Sequence, residues 1–416
     1  MAKENVISSI DLGSSKISTI VSFVVDGKIN VAGTSGSSDS KGIGKGAIVN
    51  IDDVVKSIEK SVMRADRMST HSISSAYVSI NGSHVESINS HAVVAITNES
   101  GEITRQDVDR VLESAKATNL PSSREIIHVL PRDFKVDDQD GVKDPIGMSG
   151  TRLEVQTTII HVSSMVAKNL RKCVTQIGIK VDELVYTGIA SAESVLTDSE
   201  KELGVVILDI GSQTTSVVVY VDGGPVYCTT IPIGGKHITN DIAISLRANM
   251  DVAEKIKIKI SNERDVKPTS YENAKFNEVL NPIEFGLEGE AISKRFLYSV
   301  IDQRLDEIFK LVLVELKKTS LINHIPAGVV ITGGAAKTAG IEKICKAVLK
   351  LPVKIGYPRG LEGLIDEVSD PEFASSVGMI LYGYKKLKHK NLLPGNKSSD
   401  NFMSTIKKLY RNFFLP

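Results

Sequence analysis

VVILDIGSQTTSVVVYV, residues 205–221, is the stretch on which the fold turns. Val205 to Ile210 and Thr215 to Val221 are β-rich runs on either side of Gly211-Ser212-Gln213, a pattern that predicts a strand, a tight turn and a returning strand. The same pattern stands near the N-terminus, where Val6 to Leu12 and Lys16 to Val25 flank Gly13-Ser14-Ser15. Both turns carry a hydrophobic-Asp-hydrophobic-Gly-Ser core, IDLGS at 10–14 and LDIGS at 208–212, with half the chain between them. A unit used twice predicts two related lobes. The length agrees: 416 residues exceed the size at which a single core keeps growing, and two lobes create a cleft.

Between the hairpins, strand-like alternation from Ala76 to Ile96 gives way to a capped helical pattern from Thr104 to Ala117 and then to polar loops up to Gly150. This predicts an inserted α+β subdomain. Beyond the second hairpin come Gly234-Gly235, helical runs from Ile238 to Ile260, a polar stretch around 261–290 and an amphipathic helix from Ala291 to Lys318. A strand from Gly328 to Thr332 then runs into Gly333-Gly334. Strands alternating with helices point to the α/β class. Lys385 to Asp400, with several lysines, Pro394-Gly395 and a Ser-Ser-Asp run, has the composition of a flexible linker.

Composition removes several function classes. Hydrophobic residues at 41% and charged residues at 24% are those of a globular chain. Lys+Arg and Asp+Glu balance at 50 each, so the chain as a whole has no bulk attraction to nucleic acid or anionic lipid, and any such affinity is local. Cys173, Cys228 and Cys345 are far apart, which favours free thiols in a reducing compartment, the cytosol. The first residues reach charge before any signal-like apolar run, and no stretch approaches the ~20 apolar residues of a spanning helix, so the chain is expected to be neither secreted nor threaded through a membrane. The eight histidines show no HExxH or His/Cys spacing, which gives a metal enzyme or catalytic triad no support.

Phosphates need backbone amides held close and pointing inward, and small residues let a turn approach that closely, so the two Asp-x-Gly-Ser turns are cradle candidates. Hydroxyls of Ser14, Ser15, Thr214 and Thr215 add donors, and Lys16 supplies a point charge. Asp11 and Asp209, at the ends of their strands, suit a hydrated Mg²⁺. One Asp-x-Gly is ordinary turn chemistry. Two in matched contexts, with Gly234-Gly235 and strand-Gly333-Gly334 besides, are not so easily explained that way. Neither a Walker A nor a Rossmann glycine fingerprint stands at a strand-to-helix junction.

These motifs resemble the two phosphate motifs and the adenosine motif of the actin, sugar kinase and heat-shock chaperone superfamily. Within it, ASAESVLTDSEKELGVVILDIGSQTTSVVVY at 190–220, GGKHITNDIA at 234–243, AEKIKIK at 253–259 and DPIGMSGTRLE at 144–154 resemble the FtsA family of bacterial cell-division proteins. The last belongs to the extra subdomain that this family carries and actin lacks. The resemblance implies an actin-like two-lobed fold with a nucleotide cleft. It places Asp11, Gly13, Ser14, Ser15 and Lys16 on one side of the phosphates of ATP, and Asp209, Gly211, Ser212, Gln213 and Thr214 on the other, with Mg²⁺ held through water by Asp11 and Asp209. Gly234, Gly235, Glu254, Lys257, Gly333 and Gly334 would surround the adenosine. Glu254 and Lys257, three apart on a helix, either bracket ribose and base or form a surface ion pair. Where chaperones place a Glu that orients the attacking water, this chain has Thr187-Gly188-Ile189-Ala190, and its second turn reads Gly-Ser-Gln in place of Gly-Gly-Gly. ATP binding with slow or regulated hydrolysis is the expectation.

At 401–416, NFMSTIKKLYRNFFLP is amphipathic by arithmetic. At about 100° per residue, Phe402, Met403, Ile406, Leu409, Tyr410, Phe413 and Phe414 fall in one arc of roughly 140°, with Lys407, Lys408 and Arg411 among the polar residues that fill the rest. Such a helix, about 22 Å long, suits a membrane interface and is too short to span a bilayer. Docking on the protein's own core is the bland alternative; the linker, the cations and the aromatics favour an anionic lipid surface. One tail binds weakly and an array on a polymer binds firmly.

The resemblance implies the remaining expectations. They are lobe one at 1–83 and 163–200, the inserted subdomain at 84–162, the core of lobe two at 201–255 and 319–384, and its outer subdomain at 256–318. The linker at 385–400 and the membrane helix at 401–416 complete the chain. The implied protein forms filaments, binds the FtsZ C-terminal tail through 256–318, recruits later division proteins through 84–162, binds no nucleic acid and works at the cytoplasmic face of the membrane at the division site. A type IV pilus scaffold of the PilM kind shares the nucleotide fold and the insertion but has no need of the tail; a sugar kinase would be a phosphotransferase.

Overall fold

The computed structural model describes residues 5–69, 71–266, 278–288 and 290–389. The membrane-helix segment at 401–416 and the linker from 390 onward lie outside the described residues, as does part of the polar stretch at 261–290.

Two sheets carry the fold. Both hairpins form as antiparallel pairs, Asn5–Leu12 with Lys16–Val25 and Val205–Ile210 with Thr215–Val221. The first hairpin sits in a sheet ordered Lys180–Tyr186, Ser75–Ile80, Asn5–Leu12, Lys16–Val25, Lys28–Thr34 and Glu362–Gly363. The second sits in a nine-stranded sheet that includes Val329–Thr332, paired parallel to Val205–Ile210. The apolar run Val205–Leu208 follows from burial on both faces, and Asp209 ends it at the cleft. Val205 and Ile207 join a cluster shared with Ile10, Val78 and Tyr186 of the first sheet, whereas Val206 and Leu208 pack on Ile238, Ile256, Leu305 and Phe309 beneath the helices of the second lobe.

The inserted subdomain extends the second sheet. Glu86–Ala95, Arg124–Val136, Arg152–Ser163 and Gln139–Val142 continue it, joined to Gly224–Ile231 through the Thr229–Glu86 pair. Helix Arg105–Lys116 covers a core of Ala92, Val111, Phe134 and Leu153, and starts from a capping box in which Thr104 and Asp107 each satisfy the other's backbone N–H. Polar loops were expected up to Gly150; the strands Arg124–Val136 and Gln139–Val142 correct this. Pro131 breaks the strand pattern, and the ladder accommodates it by a register jump from Asp133 to Pro131 against Gln156 and Thr157. The last described helix, Ala374–His389, likewise takes in the first five residues assigned to the linker. The helix expected from Ala291 begins at Lys294, capped by Ser293.

One buried histidine ties the insertion to lobe one. His128, on strand Arg124–Val136, accepts the backbone N–H of Tyr186 at Nε2 (3.0 Å) and packs edge-on against Tyr382 of the last helix. The Tyr382 hydroxyl donates to Glu183 at 2.9 Å. Burial, with Lys386 adding repulsion, lowers the His128 pKa to about 3. A histidine kept neutral in the fold and free to charge when unfolded leaves stability intact above about pH 6.5 and removes about 1.4 kcal/mol per pH unit below it, until the folded-state value is reached. Urea melts from pH 7.5 to pH 4.5 are expected to lose stability as pH falls, with His84 and His161 contributing in the same direction, and His128→Gln to reduce the slope by about 1.4 kcal/mol per unit; an unchanged slope in the variant would remove His128 from this role.

Candidate functional site

The two hairpin turns close the same way. Gly13 N–H donates to the Lys16 carbonyl at 3.0 Å, and Gly211 N–H to the Thr214 carbonyl at 2.9 Å. A side chain at Gly13 would bring its Cβ within 2.7 Å of that Lys16 oxygen. The Gly-Gly motifs dock on the second turn. Gly235 and Lys236, the first residues of helix Gly235–Leu246, donate their N–H groups to the carbonyls of Gly211 (2.9 Å) and Ser212 (2.7 Å). Gly333, just past strand Val329–Thr332, has φ +86°, and a Cβ there would stand 2.4 Å from Asp209 Oδ1. Only glycine meets both conditions.

The carboxylates face each other from the ends of their strands. Asp11 is buried and accepts from the Ser375 hydroxyl and, at 3.4 Å, from Ser376. Asp209 accepts from Ser191 Oγ at 2.6 Å. Burial pushes the Asp209 pKa up to about 6, with the Asp11 charge adding to the effect and Ser191 and Lys16 opposing it. Lys16 Nζ lies 3.1 Å from Glu372 Oε2 and 4.0 Å from the centre of the Phe373 ring. Burial lowers its pKa. An ammonium carries three donors and Glu372 can occupy only part of them, so the buried Lys16 retains donors to offer.

These groups line one cleft of about 680 Å³, a size that accepts a nucleotide. Every residue assigned to the nucleotide from the sequence lines it except Gln213, Thr215 and Gly234. Gly234 serves the packing instead, since a Cβ there would lie 2.5 Å from the Gly211 carbonyl. The Thr215 hydroxyl is spent on the Ile233 carbonyl at 2.8 Å, so it is no phosphate donor. Glu254 and Lys257 do pair, at 2.7 Å, but within the cleft wall, where Lys257 also donates to Thr239 Oγ1 at 2.9 Å.

The sequence left several lining residues unmarked, among them Asn81, Lys236, Lys337, Glu372 and Ser375. Asn81 follows a strand as an Asn-Gly pair, a signal that reads equally as a turn. Ser375 is 364 residues from Asp11, and no local pattern joins them.

The arrangement fits Mg²⁺ and a triphosphate. Two carboxylates, a buried ammonium with spare donors and turns closed to side chains answer a cation and the phosphates it accompanies. Among the described residues no three His, Cys, Asp or Glu gather as a metal cage, so waters and phosphate oxygens would complete the shell. Thr187 lines the cleft and its hydroxyl bonds Ser216 at 3.0 Å, so that position offers no carboxylate to activate water.

Comparison with known proteins decides the family. The model described as "SHS2 domain inserted in FTSA" matches residues 82–161, and that of "Cell division protein FtsA" matches 206–378. A cell division protein FtsA of Borreliella burgdorferi (strain B31) is 39% identical over 389 residues, 93% of each chain. The chain belongs to the FtsA family. It is an actin-like cell-division protein. Among solved structures, the PilM-PilN type IV pilus biogenesis complex superposes with a TM-score of 0.63 at 15% identity, covering 91% of this chain and 98% of the other. MreB5 of Spiroplasma citri bound to ADP gives 0.55 at 16%, covering 94% and 99%. At those identities the likeness is one of fold; the sequence places the chain with FtsA and away from the pilus scaffold and sugar kinase alternatives.

Gly333→Ala tests the site. The positive φ and the clash with Asp209 are expected to cost about 1–3 kcal/mol of folding stability, and displacement of the Asp209 carboxylate is expected to weaken binding of a fluorescent ATP analogue with Mg²⁺. An affinity unchanged in a variant that is destabilised but still folded at the assay temperature would take the Asp209–Gly333 contact out of the nucleotide site.

Proposed function

We propose that this chain binds Mg·ATP in the cleft, polymerises, and anchors the FtsZ ring to the cytoplasmic membrane while recruiting later division proteins. The observation that carries the reading is the convergence of two matched Asp-x-Gly turns, Asp11 to Lys16 and Asp209 to Thr214, on one cleft in a member of the FtsA family. An MreB5 of like fold binds ADP and AMPPNP, which supports an adenine nucleotide here. The Thr at 187 supports slow hydrolysis, with ATP acting chiefly as a structural ligand.

Membrane attachment rests on the sequence at 401–416. Among the described residues no helix is long and apolar enough to cross a membrane. Seven apolar side chains at roughly 1.5–3 kcal/mol each favour the interface, and ordering the backbone at roughly 1–2 kcal/mol per residue opposes it. A single tail therefore binds reversibly, and a filament supplies the effective concentration that makes binding firm. The FtsZ tail is assigned to 256–318, which holds most of helix Met250–Val266 and all of helix Lys294–Lys318, and the recruitment surface to 84–162.

Co-flotation with anionic liposomes tests this reading, using the full chain and one ending at Asp400, each with and without ATP. Flotation of the full chain alone, increased several-fold by ATP, is the expected result. Equal flotation of the truncated chain would remove the tail from membrane binding.

A further inference from the structure

Gln213 belongs to the second phosphate turn yet does not line the cleft. Its Oε1 accepts the backbone N–H of Lys45 at 2.9 Å. Lys45 is at the tip of the small hairpin made by Ile43–Gly44 and Ala47–Ile48, where Lys45 and Gly46 both have positive φ, 50° and 80°. That tip is fixed to lobe one. Gly46 stands so close to Asn81 that a Cβ would lie 2.5 Å from the Asn81 carbonyl, and Asn81 directly follows Ser75–Ile80 of the first sheet. The bond from Lys45 to Gln213 therefore crosses from one lobe to the other.

A second set of cross-lobe bonds lies deeper. Asn81 Nδ2 donates to Thr214 Oγ1 at 3.2 Å, and Asn81 Oδ1 accepts from Ser216 (3.2 Å) and Thr230 (3.0 Å). Thr187 also meets Ser216 there. These bonds form a part-buried floor. The Lys45–Gln213 bond, by contrast, is solvent-exposed, and one exposed hydrogen bond is weak enough to open and close readily. Floor and rim together grip the turn that faces the phosphates.

We propose that Gln213 is an interlobe clasp, whose amide oxygen holds the second phosphate turn to lobe one when the cleft is closed and so slows release of the bound nucleotide. This rests on the reading that the cleft binds ATP. Gln213 is then a positioning residue that acts through the Gly211–Thr214 turn without touching the ligand. Such a clasp needs an acceptor at the reach of glutamine. Gln213→Glu keeps it, Gln213→Asn is one methylene short and Gln213→Ala has none. If Gln213 instead donated its amide N–H to a phosphate, the order would invert, because a glutamate would repel the phosphate and be the worst of the three.

Stopped-flow release of a fluorescent ATP analogue with Mg²⁺ from the full chain and these three variants separates the two. The clasp predicts release about three- to tenfold faster in Gln213→Ala and Gln213→Asn, the size of one exposed hydrogen bond, with Gln213→Glu close to the wild type. As a second measurement, Lys45→Cys with Gln213→Cys, joined by a short bis-maleimide, should retain the analogue; the native Cys173, Cys228 and Cys345 are buried. Fastest release from Gln213→Glu, or equal release from all four proteins, overturns the clasp while leaving ATP binding in place. A wild-type chain that binds no analogue overturns the ATP reading and the clasp with it.

Discussion

Asp11 and Asp209 are two carboxylates brought together in one poorly solvated cleft, and much of the surrounding structure answers the cost of holding them there. Each is held by serine on a different helix: Asp209 by Ser191 on Thr187–Val195, Asp11 by Ser375 and Ser376 on Ala374–His389. The two helices meet backbone against backbone. A Cβ at Gly378 would fall 1.7 Å from the Ala190 carbonyl, so the close crossing exists only because residue 378 is glycine. Lys16 supplies the compensating charge, and Glu372 holds Lys16 in turn. The phosphate turns, the carboxylates and the helices that join the sheets form one connected unit. The Ala374–His389 helix starts at the carboxylate site and runs toward the segment that carries the proposed membrane tail.

Much of this was legible in the sequence, for physical reasons that differ from place to place. Val205–Ile210 and Thr215–Val221 were read to the residue because strands buried on both faces are rich in β-branched apolar residues, Val205–Leu208 and Val217–Val219, and the Gly-Ser turn between them is sharp. The turn glycines were legible because close backbone packing leaves no alternative residue. Arg124–Val136 was missed because Pro131 and a bulge interrupt its alternation, and local pattern is all that a sequence offers. Ser191, Ser375 and Glu372 were missed for another reason: they meet the aspartates through tertiary contacts, and serine and glutamate on helices carry no signature of such use. Gln213 was placed in the turn it occupies, but its bond to Lys45 of the other lobe was not legible, since sequence position indicates the backbone turn and leaves open which lobe the side chain meets.

On the proposed reading the cleft holds its nucleotide and hydrolyses it slowly. Thr187 lines the cleft without a carboxylate, and its hydroxyl bonds Ser216 in the floor. The cleft has what is needed to hold a triphosphate and its cation, with cross-lobe bonds at Asn81 and Gln213 to keep the lobes together around it. On the proposed reading, a nucleotide held in this way would stabilise the closed form, and the closed form would be the unit that a filament repeats.

The most direct measurement is a crystal structure of the chain with Mg²⁺ and a non-hydrolysable ATP analogue. The account predicts phosphates between Gly13–Lys16 and Gly211–Thr214, with the cation on the Asp11 and Asp209 side and the adenosine against Glu254, Lys257 and Gly333-Gly334. Phosphates bound elsewhere, or an analogue that leaves both turns untouched, would contradict it.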